Sequence, residues 1–575
     1  MGHPIRRSQF ILTYGVGSIV ETATGGPRLI LDFEHWGSIF GSSQGTSSLN
    51  SLLIPDLDLG PLLGGGKVFR IPTNAEMGLP DEQPLFATGL FPSWALCLDH
   101  KPYFLHHLDE KGRTNCPVCL KKKGRVFAQQ QTIRFVRACR NGHLDDVDWQ
   151  AAVHAKKKNC SAEVFEWDER GTEMKSIHLT CQACGEMSTL ADVYFRHTAC
   201  SGRFPEEKDY EPCDEDMYVI LRNASNLRIA EIVSAITIPP RVTRLHTILQ
   251  DPFVFGLLTS GERWSKSKLL RGLETQVKRR VIPPKYIDEV RQIDETQILT
   301  AIDEVLDFKG VPDEIELKEK EFRALRHAAE NGAKYGGPGN RSYFEVDKSK
   351  VARIPLGSRL HLRVCPIRTL RTVLAQRGYR RHVRGEGRLV ERFLSVGQDR
   401  WYPGIELFGE GIFVDLPPDG TIQLNSGRAK LWDEINVRAQ YPESNPVYVW
   451  WHTLSHRLIT ALAVDSGYSA ASIRERVYSS GERGGVTGGV LLYATQPGGD
   501  GTLGGLIALV SEFSRIVNTA LRNLASCSND PLCFEQIPSD THPSGAACYA
   551  CLLLPETSCE SHNMFLDRSI LAESL

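Results

Sequence analysis

Cys97-Leu98-Asp99-His100, then fifteen residues, then Cys116-Pro117-Val118-Cys119 is the stretch that decides how this chain is built. Each pair of soft or borderline donors is separated by two residues, so each can form a tight knuckle that presents two ligands. Together the two knuckles supply the four donors of a tetrahedral structural zinc site. A redox Cys-x-x-Cys would instead open a helix within a strand–helix–strand unit and would need no second ligand pair upstream. A segment tied by metal can be rich in turns and poor in long amphipathic runs, because the ion replaces part of the hydrophobic core.

The same chemistry recurs outward from this point. Fifteen cysteines in 575 residues contain three Cys-x-x-Cys pairs, Cys116/Cys119, Cys181/Cys184 and Cys548/Cys551, where about 0.4 would arise by chance. Disulfides do not persist in a reducing compartment, so clustered thiols read as thiolates on a metal, with zinc the default and two to three ions expected per chain. A second cluster is Cys160, Cys181, Cys184 and Cys200, with His197 the substitute if Cys200 is not used. The third is C-terminal: Cys527, Cys533, Cys548, Cys551 and Cys559, five thiols for four positions, so one is spare, structural or exchanging. Cys139, Cys213 and Cys365 have no partner at metal spacing and read as core cysteines.

At 575 residues and 64.2 kDa the chain is too long for one core and should form three or four domains. Hydrophobic residues at 41% and charged residues at 24% exclude fibrous, low-complexity and wholly disordered classes. Lys plus Arg (67) nearly cancels Asp plus Glu (69), so any basic surface must be local. No apolar run approaches the length of a membrane helix and no secretory signal is evident, which predicts a cytoplasmic protein. The expected fold is multidomain α/β (α+β) with zinc-ribbon-like modules and no complete nucleotide-binding motor domain. Its order would be a sheet-rich domain over 1–90, zinc modules over 91–215, a mainly helical domain over 216–350 and an α/β domain over 351–575. The last would contain the Arg-rich segment and the C-terminal cysteines.

Residues 353–400 hold twelve Arg against three acids, with Tyr379, Phe393, Trp401 and Tyr402 nearby. Guanidinium groups can grip phosphates and aromatic rings can stack on bases, so Arg363, Arg368, Arg371, Arg377, Arg380, Arg381, Arg384 and Arg388 are candidate DNA contacts. A solvated face or a surface for an acidic partner is the competing reading. A second basic patch surrounds Trp264, from Lys266 to Lys285.

Enzyme signatures are mostly missing. Gly64-Gly-Gly-Lys-Val68 fails as a phosphate-binding loop because Pro61 replaces the first glycine and Val68 the hydroxyl residue, so no ATP is expected on this chain. The loop Gln496–Gly505 could aim backbone donors at a phosphate but also reads as a plain turn. His452-Thr-Leu-Ser-His456 puts two imidazoles on one helix face without the glutamate of a zinc protease, and reads as a hydrogen-bonded buried pair. His143, Asp145 and Asp148 could seat a catalytic divalent ion, which would make the chain a metal-dependent nuclease.

The opening Arg7-Ser-Gln-Phe-Ile-Leu-Thr-Tyr-Gly-Val-Gly-Ser-Ile-Val20 and Phe135-Val-Arg-Ala-Cys-Arg-Asn-Gly-His-Leu-Asp-Asp146 resemble the DrmB family of the DISARM anti-phage defence system. The likeness extends through Trp401–Phe413, His452–His456 and the C-terminal cysteine block. These last elements are similar to a domain of unknown function shared with mitomycin-repair helicases, whose cysteines bind metal. At His100 the family leads one to expect Cys, and His is an acceptable substitute. The resemblance implies a noncatalytic, zinc-containing subunit that pairs with a helicase-like ATPase, DrmA, and binds DNA in restriction of phage genomes. A nuclease or a zinc scaffold that binds only protein are the alternatives.

Overall fold

The computed structural model describes residues 5–575 except 23–25, 37–48, 50, 55, 57–58, 82, 110–111, 114–115, 122–129, 156–159, 239–243, 250, 259–263, 307–313, 337–341, 358–359, 418–419, 421, 423, 440–443, 481–486, 498–503, 523, 540–542 and 556. The heart of the loop at 496–505 therefore lies outside the described residues. The architecture is mixed α/β. Two compact units are each discontinuous in sequence: Met1–Pro55, Gly65–Ser234 and Leu374–Ile405 form one, and Asp56–Gly64, Ala235–Val373 and Glu406–Leu575 the other. They do not coincide with four consecutive regions, because the boundaries at 373/374 and 405/406 fall inside the strands Leu360–Arg380 and Asp399–Asp415.

The first unit is built of small antiparallel sheets. A six-stranded sheet runs Met187–Thr189, Ile177–Cys181, Val164–Glu169, Tyr103–His107, Trp94–Cys97, Gln130–Thr132 in spatial order. Its core is Leu105, Phe165, Leu179, Trp149 and Trp167, with the short helix Trp149–Val153 packed on it. A four-stranded sheet runs His197–Ala199, Asp216–Leu221, Phe135–Ala138, Leu144–Asp146. Strands of three to six residues cannot build a deep core, so cross-links must supplement burial.

The second unit centres on a longer antiparallel sheet ordered Ala333–Gly336, Ser342–Val346, Leu360–Arg380, Asp399–Asp415, Thr487–Pro497, Arg474–Ser480. Register is set by buried pairs such as Val414↔Val490 and Ile412↔Leu492, since a slip by one residue would turn them to the other face. The helix Pro446–Asp465 lies against this core. Asn445 caps it by accepting from the Val447 amide, and Pro446 occupies the first turn, where no amide hydrogen is needed. Trp450, Trp451, Leu454, Leu458 and Ile459 are all fully buried, so the helix is apolar on most of its circumference, as an internal helix must be. A separate helical cluster, Lys266–Lys278, Lys285–Arg291 and Glu295–Leu306, packs through Leu269, Leu273, Val290, Ile298 and Ile302.

Candidate metal centres

Five sets of four side chains bring their ligand atoms within 4.8 Å of one another. The cysteines are unbonded to each other, at sulfur separations of 3.5–3.8 Å in the pairs that touch. Tetrahedral zinc with Zn–S of about 2.3 Å and Zn–N of about 2.0–2.1 Å places S···S edges at about 3.8 Å and S···N edges at about 3.6 Å, so the donor sets fit the ion in spacing as well as in chemistry.

In the first set Cys97 ends the strand Trp94–Cys97 and Cys119 sits in the short helix Pro117–Lys121. Their sulfurs are 3.5 Å apart, and His100 Nε2 is 3.1 Å from Cys116 Sγ. His100 Nδ1 faces the Pro102 carbonyl at 3.1 Å, which places its proton there and leaves Nε2 for the cluster. The structure thus brings together all four residues expected here, His100 included.

The second set contains Cys160, Cys181 and Cys184 as expected, but its fourth member is His154 rather than Cys200 or His197. His154 follows the helix Trp149–Val153, and its Nδ1 lies 2.9 Å from the Gln150 carbonyl. Its Nε2 is buried and makes no well-aligned hydrogen bond, so it is available to a metal. The Glu186 amide and neighbouring thiols lower the Cys184 pKa to about 7, favouring the thiolate. His197 pairs instead with Asp216 at 2.9 Å on the surface.

Cys200 belongs to a set that spacing did not reveal: Cys139, His143, Cys200 and Cys213. Strand order is the reason. Asp216–Leu221 is the shared neighbour of Phe135–Ala138 and His197–Ala199, with Ala138 opposite Tyr218 and Ala199 opposite Asp216. The residues just past both outer strands, Cys139 and Cys200, therefore meet Cys213 just before the central one. His143 Nδ1 lies 3.3 and 3.4 Å from the sulfurs of Cys139 and Cys200. Gly142, at φ +93°, makes the turn that delivers His143, and a Cβ there would strike Val390 at 2.2 Å. Gly202 packs so closely on Glu211 that its Cβ would fall 1.8 Å from the Glu211 carbonyl oxygen. The hydrogen bond from Cys200 holds the Cys139 thiol down at about 4, with burial opposing and His143 assisting. Cys139 and Cys213, which have no partner at metal spacing along the sequence, thus have partners at that spacing in the fold.

In the C-terminal set Cys527, Cys533, Cys548 and Cys551 converge. The backbone amides of Asn529 and Cys548 point at the sulfurs of Cys527 and Cys551 at 3.5 and 3.3 Å, the N–H···S pattern that steadies thiolates in a knuckle. Cys559 is the spare thiol of this block. It joins His452, His456 and Glu475 instead, and the two histidines are buried and hydrogen-bonded to carbonyls through Nδ1.

The remaining candidates divide sharply. His143, Asp145 and Asp148 do not converge on one point: Asp145 pairs with Arg203 and Arg137 at 2.7 and 3.2 Å, and Asp148 caps a helix by accepting from the Ala151 amide. Among the arginines, Arg363, Arg371 and Arg381 are interior and cannot reach a phosphate. Arg363 forks onto Asp415, Arg371 bonds Glu406 and Asp56, and Arg381 donates to the carbonyls of Gly142 and Leu227. Arg377 and Arg380 are half-buried on Glu391 and Glu231. Arg368, Arg384 and Arg388 are exposed. Arg388 bonds Glu211 at 2.5 Å, and Glu211 in turn meets His143 Nε2 at 3.0 Å, so this arginine steadies the carboxylate behind a cluster ligand. Trp401, Tyr402 and Tyr379 are buried and do not offer faces to bases.

Cysteine and histidine sets on short antiparallel strands and on the turns beside them define a zinc-module protein, a reading to which known proteins add detail. Residues 6–229 match a domain of unknown function, DUF8724, and residues 454–552 match the MrfA Zn-binding domain. The chain is 27% identical over 594 residues to the DISARM protein DrmB of Bacillus paralicheniformis, a likeness that covers 95% of this chain and 96% of that one. The resemblance read from the motifs thus extends along nearly the whole chain. A crystal structure of the DUF1998 helicase MrfA bound to DNA aligns with 38% of this chain and 22% of its own, at 12% identity and a TM-score of 0.20, too slight to bear on the fold. Among the described residues no helix is long and apolar enough to cross a membrane.

Proposed function

We propose that this chain is a noncatalytic, zinc-braced defence subunit that pairs with a helicase-like ATPase of the DrmA kind and binds DNA during restriction of phage genomes. The end-to-end similarity to DrmB carries the reading. Four cysteine-rich sets hold zinc in it: Cys97/His100/Cys116/Cys119, His154/Cys160/Cys181/Cys184, Cys139/His143/Cys200/Cys213 and Cys527/Cys533/Cys548/Cys551. Each ion would stand in for core that short strands cannot provide, giving the ATPase a rigid partner. DNA contact falls to the exposed cations Arg368, Arg384 and Arg388, which would hold phosphates without reading bases and so suit a machine that accepts many genomes. The dispersal of His143, Asp145 and Asp148 into a cysteine cluster, an ion pair and a helix cap favours this reading over a nuclease.

The test is copurification with the helicase-like subunit, followed by DNA-stimulated ATPase assays with and without this chain. Stable association and a change in DNA-stimulated turnover are expected. Absence of association, or DNA cleavage by the isolated chain in magnesium that is lost in Asp145→Ala, would overturn the proposal.

A further inference from the structure

The fifth set differs in kind from the other four. His452 and His456 stand one turn apart on the helix Pro446–Asp465, with both rings wholly buried. His452 Nδ1 faces the Phe565 carbonyl at 3.3 Å and His456 Nδ1 the Leu552 carbonyl at 2.8 Å. A carbonyl only accepts, so each Nδ1 carries a proton and each Nε2 is the atom turned to the centre of the set. Both Nε2 atoms meet the same carboxylate: Glu475 Oε1 is 2.9 Å from His452 Nε2 and 3.3 Å from His456 Nε2. Cys559 Sγ lies 3.2 Å from His452 Nε2. Every one of these groups is held from behind. Ser455 Oγ donates to the other oxygen of Glu475, and the Asn563 amide donates to Cys559 Sγ at 3.1 Å.

Two atoms at the centre are poorly satisfied. Glu475 Oε1 and His456 Nε2 are buried from solvent and make no well-aligned hydrogen bond, although they lie 3.3 Å apart. A buried carboxylate oxygen held so badly is costly, and a cation between it and the imidazoles removes that cost. We propose that His452, His456, Glu475 and Cys559 bind a single zinc ion. Carboxylate and thiolate together carry two negative charges, which a dication cancels, so the buried site becomes neutral. Nitrogen, oxygen and sulfur donors in one set suit borderline zinc, and four buried protein ligands make the site structural, without an open position for substrate. The ion would clamp the helix Pro446–Asp465 to the strand Arg474–Ser480 and to the C-terminal segment around Cys559, whose Ser558 carbonyl accepts from the Glu475 amide at 3.1 Å. His452 and Cys559 fall outside the matched Zn-binding domain at 454–552, whereas Cys527, Cys533, Cys548 and Cys551 all fall within it.

Crystals of the full-length wild-type chain, measured just above and just below the zinc absorption edge, test this directly. An anomalous peak at the centre of His452, His456, Glu475 and Cys559 that vanishes below the edge is expected. A peak at Cys527/Cys533/Cys548/Cys551 with none at the mixed set would overturn the proposal while leaving the cysteine-rich reading intact. A peak that persists below the zinc edge would overturn the identity of the ion. In solution, Glu475→Gln should lower zinc by one equivalent per chain, and combined with Cys548→Ser by two. A folded Glu475→Gln chain that retains the wild-type zinc content would equally refute the site.

Discussion

Replacing Arg381 by leucine separates the structural reading of the arginine-rich segment from the DNA-binding one. Arg381 is fully buried, donates at 2.9 Å to each of the Gly142 and Leu227 carbonyls, and lies 4.6 Å over the Tyr379 ring. Leucine fills part of the space but leaves both carbonyls without a donor. Each buried, unsatisfied acceptor costs about 1–3 kcal/mol, so the pair should cost about 4 kcal/mol. For a unit of this size about 1 kcal/mol moves the melting temperature by about 2–4 °C, which converts the loss to a drop of about 8–16 °C in the transition of the first unit. Thermal unfolding of the intact chain reads the shift, and hydrogen exchange localises it to the strand Phe135–Ala138 and the turn at Gly142. Arg384→Ala is the control: that side chain is exposed and lies 5.1 Å over Tyr218, a contact worth about 1 kcal/mol or less. Should Arg381→Leu melt within about 2 °C of wild type while losing DNA affinity, the interior role argued for Arg381 is wrong.

Three further outcomes are expected. If Cys200 sits with Cys139, His143 and Cys213, then Cys200→Ser and Cys213→Ser each remove the same zinc equivalent and the double variant loses no more than either. Cys160→Ser combined with Cys200→Ser should remove two, and elemental analysis giving one would restore the grouping that spacing suggested. Glu211→Gln should weaken zinc at the His143 set by about 10–100-fold in a chelator competition, with Arg388→Ala following in the same direction, since Arg388 acts on His143 through Glu211. A DNA-salt titration separates the second role of Arg388, because loss of one phosphate contact lowers the slope of log affinity against log salt by about 0.9. Glu206 supplies the pH dependence. Burial alone would raise its pKa, but the guanidinium groups of Arg392 and Arg381 hold it below the ordinary 4.5. A carboxyl depressed in the folded state contributes fully above its unfolded value and loses that contribution as pH falls below it. Urea midpoints should therefore drop more steeply below about pH 5 in wild type than in Glu206→Gln, and equal slopes would show that the ion pairs carry no net stability.

What could be read from sequence follows from how far each ligand lies from its partner along the chain. Knuckles are local: Cys116/Cys119, Cys181/Cys184 and Cys548/Cys551 each lie within one turn, and each contributes two members to a single set. In the C-terminal block the sequence offers five thiols for four positions without saying which is spare; Cys527, Cys533, Cys548 and Cys551 converge because they are close in sequence and the chain there forms turns rather than strands. His154 was missed because a histidine six residues before Cys160, at the end of a five-residue helix, carries no spacing signature. Arginines mislead for a different reason. On a strand buried on both faces, as Leu360–Arg380 largely is, a guanidinium can be either a surface cation or an interior anchor. Composition counts both as positive charge.

The regrouping of Cys200 shows where local reasoning must end. Nothing near Cys200 distinguishes it as a partner of Cys181, to which it is close in sequence, from a partner of Cys139, which is far away. The decision is made by a sheet in which strands from three parts of the chain pair out of order, so that two strand ends and one strand start coincide. In the Cys139 set an ion would join segments that strand pairing brings together, and its ligands would record the topology. The same logic places Glu475 and Cys559 beside His452 and His456: the antiparallel pairing of Arg474–Ser480 with Thr487–Pro497 fixes the strand on which the carboxylate sits. It follows that disrupting strand order in the four-stranded sheet should release zinc from the Cys139 set while sparing the local knuckle at Cys548 and Cys551, because only the former depends on pairing between distant segments.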